Sequence, residues 1–136
     1  MSMEEITEGG VYIMDSILNY VKKRIGIPKE CDDFDPDIIG AVNLGFSTLV
    51  QLGAGPKTGF WIEDENAEWS DYLDESDPQQ KLLLGFIKEY LYIKARLSVD
   101  IPTSSILVEV LERNYKELEV RIKDEIETPS IITEQN

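Results

Sequence analysis

The sequence predicts a mostly α-helical fold, a small helical bundle with a long C-terminal helix and a short β-hairpin or ordered loop between helices two and three. Three observations carry this expectation. Apolar residues recur at helical spacing over four separate stretches. Two of those stretches open on an Asp-Pro pair, Asp35-Pro36 and Asp77-Pro78, a strong helix start signal. Between them, Gly53 to Gly59 is too rich in Gly and Pro to continue a helix.

The first helix is expected from about Asp15 to Ile25, with Ile17, Leu18, Val21 and Ile25 on one face and Gly26 as the left-handed residue that ends it. The second takes Asp35 as N-cap and Pro36 as its first residue, then runs through Ile38, Ile39, Val42, Phe46, Leu49 and Val50 to Gly53. Gly40 and Gly45 weaken it by up to about 1 kcal/mol each relative to Ala, so close helix packing is expected there. Phe60 and Ile62 alternate with polar neighbours as in a short strand, and Trp61 and Trp69 are expected to pack the loop from Phe60 to Leu73.

The third helix repeats the start signal with Asp77 as cap. Leu83, Phe86, Ile87, Tyr90, Leu91 and Leu97 form its apolar face, and Leu82, Leu84 and Ile93 widen it, which makes it the central helix. The fourth starts after Pro102 with Thr103 or Ser104 as cap and holds Leu107, Leu111, Tyr115, Leu118, Ile122 and Ile126 in one stripe. Glu109 with Arg113, Glu112 with Lys116, Glu117 with Arg121 and Glu119 with Lys123 supply pairs at i, i+4 on its other face. Its length outruns a domain of this size, so its distal end is expected to leave the bundle. Residues 1–13 read as an N-terminal extension, 14–127 as the helical domain and 128–136 as a tail, all within the size of one core.

Composition narrows the chemistry. There is no histidine and only one cysteine, Cys31, which removes Ser-His-Asp and Cys-His nucleophiles, His-ligated zinc and an internal disulfide. Catalytic residues, cofactors and metals are accordingly expected to be none. No apolar run reaches the roughly 20 residues that span a bilayer, and the first ten residues are acidic rather than basic, so neither a membrane segment nor a standard signal peptide is read here. Cys31 sits among acids, which raise a thiol pKa and oppose a reactive thiolate.

The net charge of −14 is concentrated in two places. Glu30, Asp32, Asp33, Asp35 and Asp37 form one cluster, and Glu63, Asp64, Glu65, Glu68, Asp71, Asp74, Glu75 and Asp77 form the other, with no Lys or Arg in either stretch. Lys22, Lys23 and Arg24 make the one basic run, read as the last turn of a helix, where cations suit the macrodipole. A calcium loop fails on inspection: Asp64, Asn66, Glu68 and Glu75 fall at positions 1, 3, 5 and 12, but Trp69 occupies the position that must be Gly. The second cluster is expected to stabilise nothing locally, so neutralising Glu65, Glu68 and Asp71 should leave thermal stability unchanged or slightly higher. Physical chemistry alone gives an acidic helical interaction module, with an acidic DNA-mimic inhibitor as the alternative function and a metal-dependent enzyme as a further one.

The residues carry a resemblance beyond this. Asp15-Ser16-Ile17-Leu18 with Val21-Lys22, Asp37-Ile38-Ile39 and Asn43, Leu49 with Gln51-Leu52-Gly53 and Gly55-Pro56 open the pattern. Gly59-Phe60, Ile62-Glu63-Asp64, Ala67, Trp69, Asp71, Tyr90-Leu91-Tyr92-Ile93-Lys94, Leu97, Asp100, Pro102 and Ser104-Ser105 continue it. In order and spacing they resemble the head-tail connector (adaptor, head-completion) proteins of tailed bacteriophages and of prophages of Gram-positive bacteria, over about residues 14–127. Where that family more often has Asp-Pro-Pro, Ile101 replaces the first proline and changes the rigidity of the turn.

The resemblance implies a structural virion protein and no enzyme. It would form a homo-oligomeric ring of about twelve copies beneath the portal, assembled in the host bacterial cytoplasm and residing in the neck of the virion. The ring would extend the DNA channel and meet the portal protein and a tail-terminator or other neck protein, while genomic DNA passes without sequence-specific binding. On that reading Glu63, Asp64, Glu65, Glu68 and Asp71 are the candidate channel-facing or tail-facing acids. Ile126, Pro129, Ser130, Ile131, Ile132 and Thr133 are the candidate portal-binding segment, because Pro129 stops the helix and a β-branched run then has no partner strand in the sequence. The resemblance begins at Met14, and Met14 is expected to be the true start of the chain.

Overall fold

A computed structural model of the chain describes residues 5–7, 10–12 and 16–127. Met14 and the tail residues Pro129, Ser130, Ile131, Ile132 and Thr133 lie outside the described residues. Glu5–Thr7 (β1) and Gly10–Tyr12 (β2) pair antiparallel, and five helices follow: α1 Ile17–Ile25, α2 Asp35–Leu52, α3 Trp69–Tyr72, α4 Pro78–Val99 and α5 Ser105–Glu127. The four long helices are those expected from periodicity. α4 is the hub, packed against α1, α2 and α5.

The core is built from the predicted faces. Ile17, Leu18 and Val21 of α1, Ile38, Val42, Phe46 and Leu49 of α2, and Leu83, Leu84, Ile87, Tyr90 and Leu91 of α4 are all buried. At Gly45 α2 and α4 pack tightly: a Cβ there would stand 2.5 Å from Leu91 Cδ2. Gly40 meets no such neighbour, and it opens a groove between α2 and α5 instead of closing a contact. Leu82 points outward at 51% exposure, because it lies on the side of α4 that none of the other helices covers.

Three expectations are corrected. Of the hairpin or ordered loop expected between α2 and α4, the structure has the ordered loop, with the one-turn helix α3 and an isolated bridge from Ser16 to Glu68; the strand reading of Phe60 and Ile62 is the part that fails. Of its two tryptophans only Trp69 is buried, edge-on to Tyr20 at 5.6 Å, while Trp61 is 62% exposed. The loop is packed by Phe60, which meets both Phe46 and Tyr72 at 5.0 Å. Burial pushes the Tyr72 phenol upward, as expected for a hydroxyl in an aromatic cluster.

The third correction concerns α5, whose distal end does not leave the bundle. Ile122 is fully buried and Ile126 packs on the core beside Gly53 at the end of α2. The exposed end is the proximal one, where Ile101, Ile106 and Leu107 stand 60%, 72% and 38% exposed. The predicted Glu119–Lys123 pair is also replaced: Glu119 accepts a 2.7 Å hydrogen bond from the buried Tyr90 hydroxyl, and Lys123 turns to Glu127. Burial and the Glu119 carboxylate together raise the Tyr90 phenol pKa. Glu117–Arg121 forms as expected.

Gly45→Ala should lower stability by about 1–3 kcal/mol, since Leu91 is fully buried and has no free space to retreat into. Gly40→Ala should be neutral or slightly stabilising, through helix propensity. Thermal denaturation of the two variants checks the contrast.

Candidate functional site

Two acidic segments far apart in sequence meet across one cleft. Lys29, Glu30, Asp32 and Asp35 line one side, Glu63, Asp64 and Glu65 the other, and Leu18, Pro36 and Ile39 contribute the apolar part of its lining, around a volume of about 740 Å³. Lys29 is the one cation among these lining residues.

The cleft is held by groups that the charge pattern alone does not single out. Lys22, on α1, is buried at 1% exposure, and its ammonium lies 2.9 Å from Asp35 Oδ1 and donates to the Lys29 carbonyl at 3.0 Å. Asp35 is therefore not the N-cap of α2. That position falls to Phe34, whose side chain makes no capping bond, and Asp35 opens the helix with its carboxylate directed at Lys22. The pair ties α1, the connecting loop and the start of α2 together. Lys22 thus has a structural partner within the basic run expected simply to end α1, although that run does occupy the last turn.

On the other side, the loop is stitched at both ends. The Asn43 side chain accepts from the Ile62 N–H at 2.8 Å and donates to the Ile62 carbonyl at 3.0 Å, copying a backbone pairing from the middle of α2. Ser16 caps α1 by accepting from the Asn19 N–H, and its hydroxyl donates to the Glu65 carbonyl at 2.8 Å. The Ile17 N–H adds a 3.0 Å bond to the Ala67 carbonyl. Glu63, Asp64 and Glu65 are exposed but their backbone is fixed, so their charges stand at defined places.

The five acids predicted as one group divide into two. Glu63, Asp64 and Glu65 line the cleft. Glu68 and Asp71 form a reciprocal capping box on α3, with Asp71 Oδ2 accepting from the Glu68 N–H at 2.9 Å. The expectation that this cluster stabilises nothing locally is overturned. Asp64 accepts from the Asn66 N–H, Asp77 from the Gln79 N–H at the start of α4, and Asp74 from the Ser76 hydroxyl and N–H. The Ser76 hydroxyl and then its N–H hold the Asp74 carboxyl below the usual carboxylate range, so whatever stability this turn gains is present above the ordinary pKa and lost as pH falls through the folded one. Of the candidate portal-binding residues, Ile126 is half-buried against the core, and the others lie outside the described residues.

The arrangement repels phosphate and attracts cations, and it offers no nucleophile activated by a base. Among the described residues no group of three or more Cys, Asp or Glu side chains is arranged to hold a metal ion, and no helix is long and apolar enough to cross a membrane.

Comparison with protein-family models gives a match to the family described as phage connector protein, over residues 17–129. The chain belongs to the phage connector protein family. No curated protein and no solved structure matches it. The phage connector family is one of structural proteins of the head-tail junction, and membership implies a structural role at the virion neck among portal and neck components. The matched span covers every helix of the bundle and both sides of the acidic cleft.

Removing either kind of acid has a distinct expected cost. Asp35→Ala leaves the Lys22 ammonium buried without its counter-charge and should destabilise the connector by about 2–4 kcal/mol, somewhat less than for a fully buried pair because Asp35 is 24% exposed. Asp71→Ala removes half a capping box and should cost about 0.5–2 kcal/mol. Glu63→Gln should change stability little. Urea denaturation of the three variants measures the ranking.

Proposed function

We propose that copies of this connector close into a ring of about twelve beneath the portal, that the ring extends the DNA channel, and that it presents a platform to a tail-terminator or other neck protein. The observation that carries the reading is the convergence of both acidic segments on one rigidly held cleft in a member of the phage connector family. Carboxylates fixed in place along a passage repel the phosphate backbone and keep DNA moving. Glu63, Asp64 and Glu65 are the acids assigned to the channel or tail side, and Glu68 and Asp71 hold the loop that carries them. Genomic DNA passes without sequence-specific contact. Assembly takes place in the host bacterial cytoplasm.

The anchor to the portal is assigned to the C-terminal segment, from Ile126 through Pro129 to Ser130, Ile131, Ile132 and Thr133. Ser130 to Thr133 is a β-branched run suited to adding a strand to a neighbour's sheet through main-chain bonds. Ile126 reaches the surface of the bundle at the end of α5 and starts the segment from a fixed point.

Cryo-EM of the connector bound to its portal should reveal a closed ring with the 63–65 loop toward the passage or the tail side; isolated single copies on the portal would refute the ring. Deleting residues 128–136 should leave a folded helical protein that no longer co-sediments with portal particles. Unchanged docking by the truncated chain would move the anchor to the helical bundle.

A further inference from the structure

The turn after α2, the start of α4 and the end of α5 meet around a second groove, of about 270 Å³. Gly53, Gly55, Leu73, Leu83 and Ile126 give it apolar walls. Gly53 and Gly55 have φ of 100° and 82°, so the turn presents bare backbone there, and a Cβ at Gly53 would already stand 3.5 Å from Ile126 Cγ2. Asp77 and Glu125 place carboxylates among the lining residues, so the groove disfavours an acidic or phosphate-bearing occupant.

The chain supplies a matching occupant. Ile126 lines the groove and α5 ends at Glu127, so the nine residues that follow start from the groove's own wall. Pro129 cannot extend the helix and pushes Thr128 toward an extended backbone, which turns the chain off the α5 axis. Residues 128–133, Thr-Pro-Ser-Ile-Ile-Thr, carry two large apolar side chains and no charge, whereas Glu134 beyond them bears the sign that Asp77 and Glu125 repel. Ile131 and Ile132 have about 13–18 Å of extended chain with which to reach a groove that Ile126 already borders. So short a tether holds the segment at an effective concentration on the order of millimolar, and a shallow groove is then enough.

We propose that residues 128–133 seat in this groove of their own chain while the connector is free, with Ile131 and Ile132 against Leu73, Leu83 and Ile126. The seat covers a β-branched run that would otherwise be open to pairing with any exposed sheet edge. Two isoleucines make a small contact, so the seat is weak and reversible. A portal that offers main-chain bonds along a whole strand outcompetes it and draws the tail out. That last consequence rests on the portal-anchor reading above; the seat itself does not.

Disulfide trapping in the full chain, in a Cys31→Ser background, tests it. Gln79→Cys places a thiol at the groove and Ser130→Cys one on the tail. Oxidised glutathione should close this pair within one copy about tenfold faster, or more, than Glu109→Cys with Ser130→Cys, because Glu109 lies about 27 Å along α5 from Glu127, beyond the reach of the linking residues. Adding Ile131→Asp and Ile132→Asp should slow closure of the Gln79→Cys pair by about tenfold, since carboxylates replace the apolar anchors beside Asp77 and Glu125. Circular dichroism checks that every variant keeps its helices. Bonds that join two copies, closure no faster than in the Glu109→Cys control, or closure indifferent to the two aspartates would each overturn the proposal; the first would give the groove to a neighbour's tail, and the last would leave tethering alone as the cause. Co-sedimentation of the oxidised and reduced protein with portal particles is scored separately, so closure within one copy together with unchanged docking of the locked form counts against the portal anchor alone.

Discussion

The connector's acidic surface depends on one buried ion pair. Lys22 is the only charged side chain that is fully buried among the described residues, and it is placed where the first helix, the 26–34 connection and the start of α2 converge. Taking an ammonium out of water costs several kcal/mol, and only a good geometry offsets it. Here Asp35 at 2.9 Å and the Lys29 carbonyl at 3.0 Å supply that geometry. The consequence reaches beyond stability. By consuming Asp35 internally, the pair fixes Glu30 and Asp32 at the edge of the cleft and sets where α2 begins.

The opposite side of the cleft solves a different problem. A loop that carries three exposed acids in succession, Glu63 to Glu65, has mutual repulsion working to spread it. It is held by uncharged groups, Asn43 from α2 and Ser16 from α1, whose bonds go to backbone atoms and are indifferent to the charges. Several other acids of the segment bond locally, as caps or in a turn. Asp71 caps the start of α3 and Asp77 the start of α4, so the same residue type that repels across the cleft secures the chain that carries it.

Much of the fold was legible because it rests on periodicity. The faces of α1, α2 and α4 are the buried ones, and Gly26 and Gly53 end their helices with φ near +100° as the C-cap reading requires. What was not legible was tertiary. Asp35-Pro36 has the local signature of a cap, and nothing in the local sequence says that a lysine 13 positions earlier will claim the carboxylate. Likewise, α5 is long enough to leave a small bundle, but which end is free depends on where α2 and α4 stop. Trp61 and Trp69 look equivalent in sequence and differ because only Trp69 begins a helical turn that faces Tyr20 and Lys88.

The candidate site was legible in part. The charge clusters were visible as two runs, and their meeting in one cleft was not, because it needs the Asn43 and Ser16 stitches. Ser16 and Asn43 nevertheless stood among the residues that carry the family resemblance, as positions without an assigned role. Their role is now physical: one amide and one hydroxyl set the height of the acidic loop above the helices. On the proposed channel reading, negative charge is needed at fixed positions more than in large amount, because mobile side chains on a mobile loop yield to an approaching phosphate. Neutral side chains bonding to backbone atoms provide that fixity without adding a cation that would draw the phosphates in.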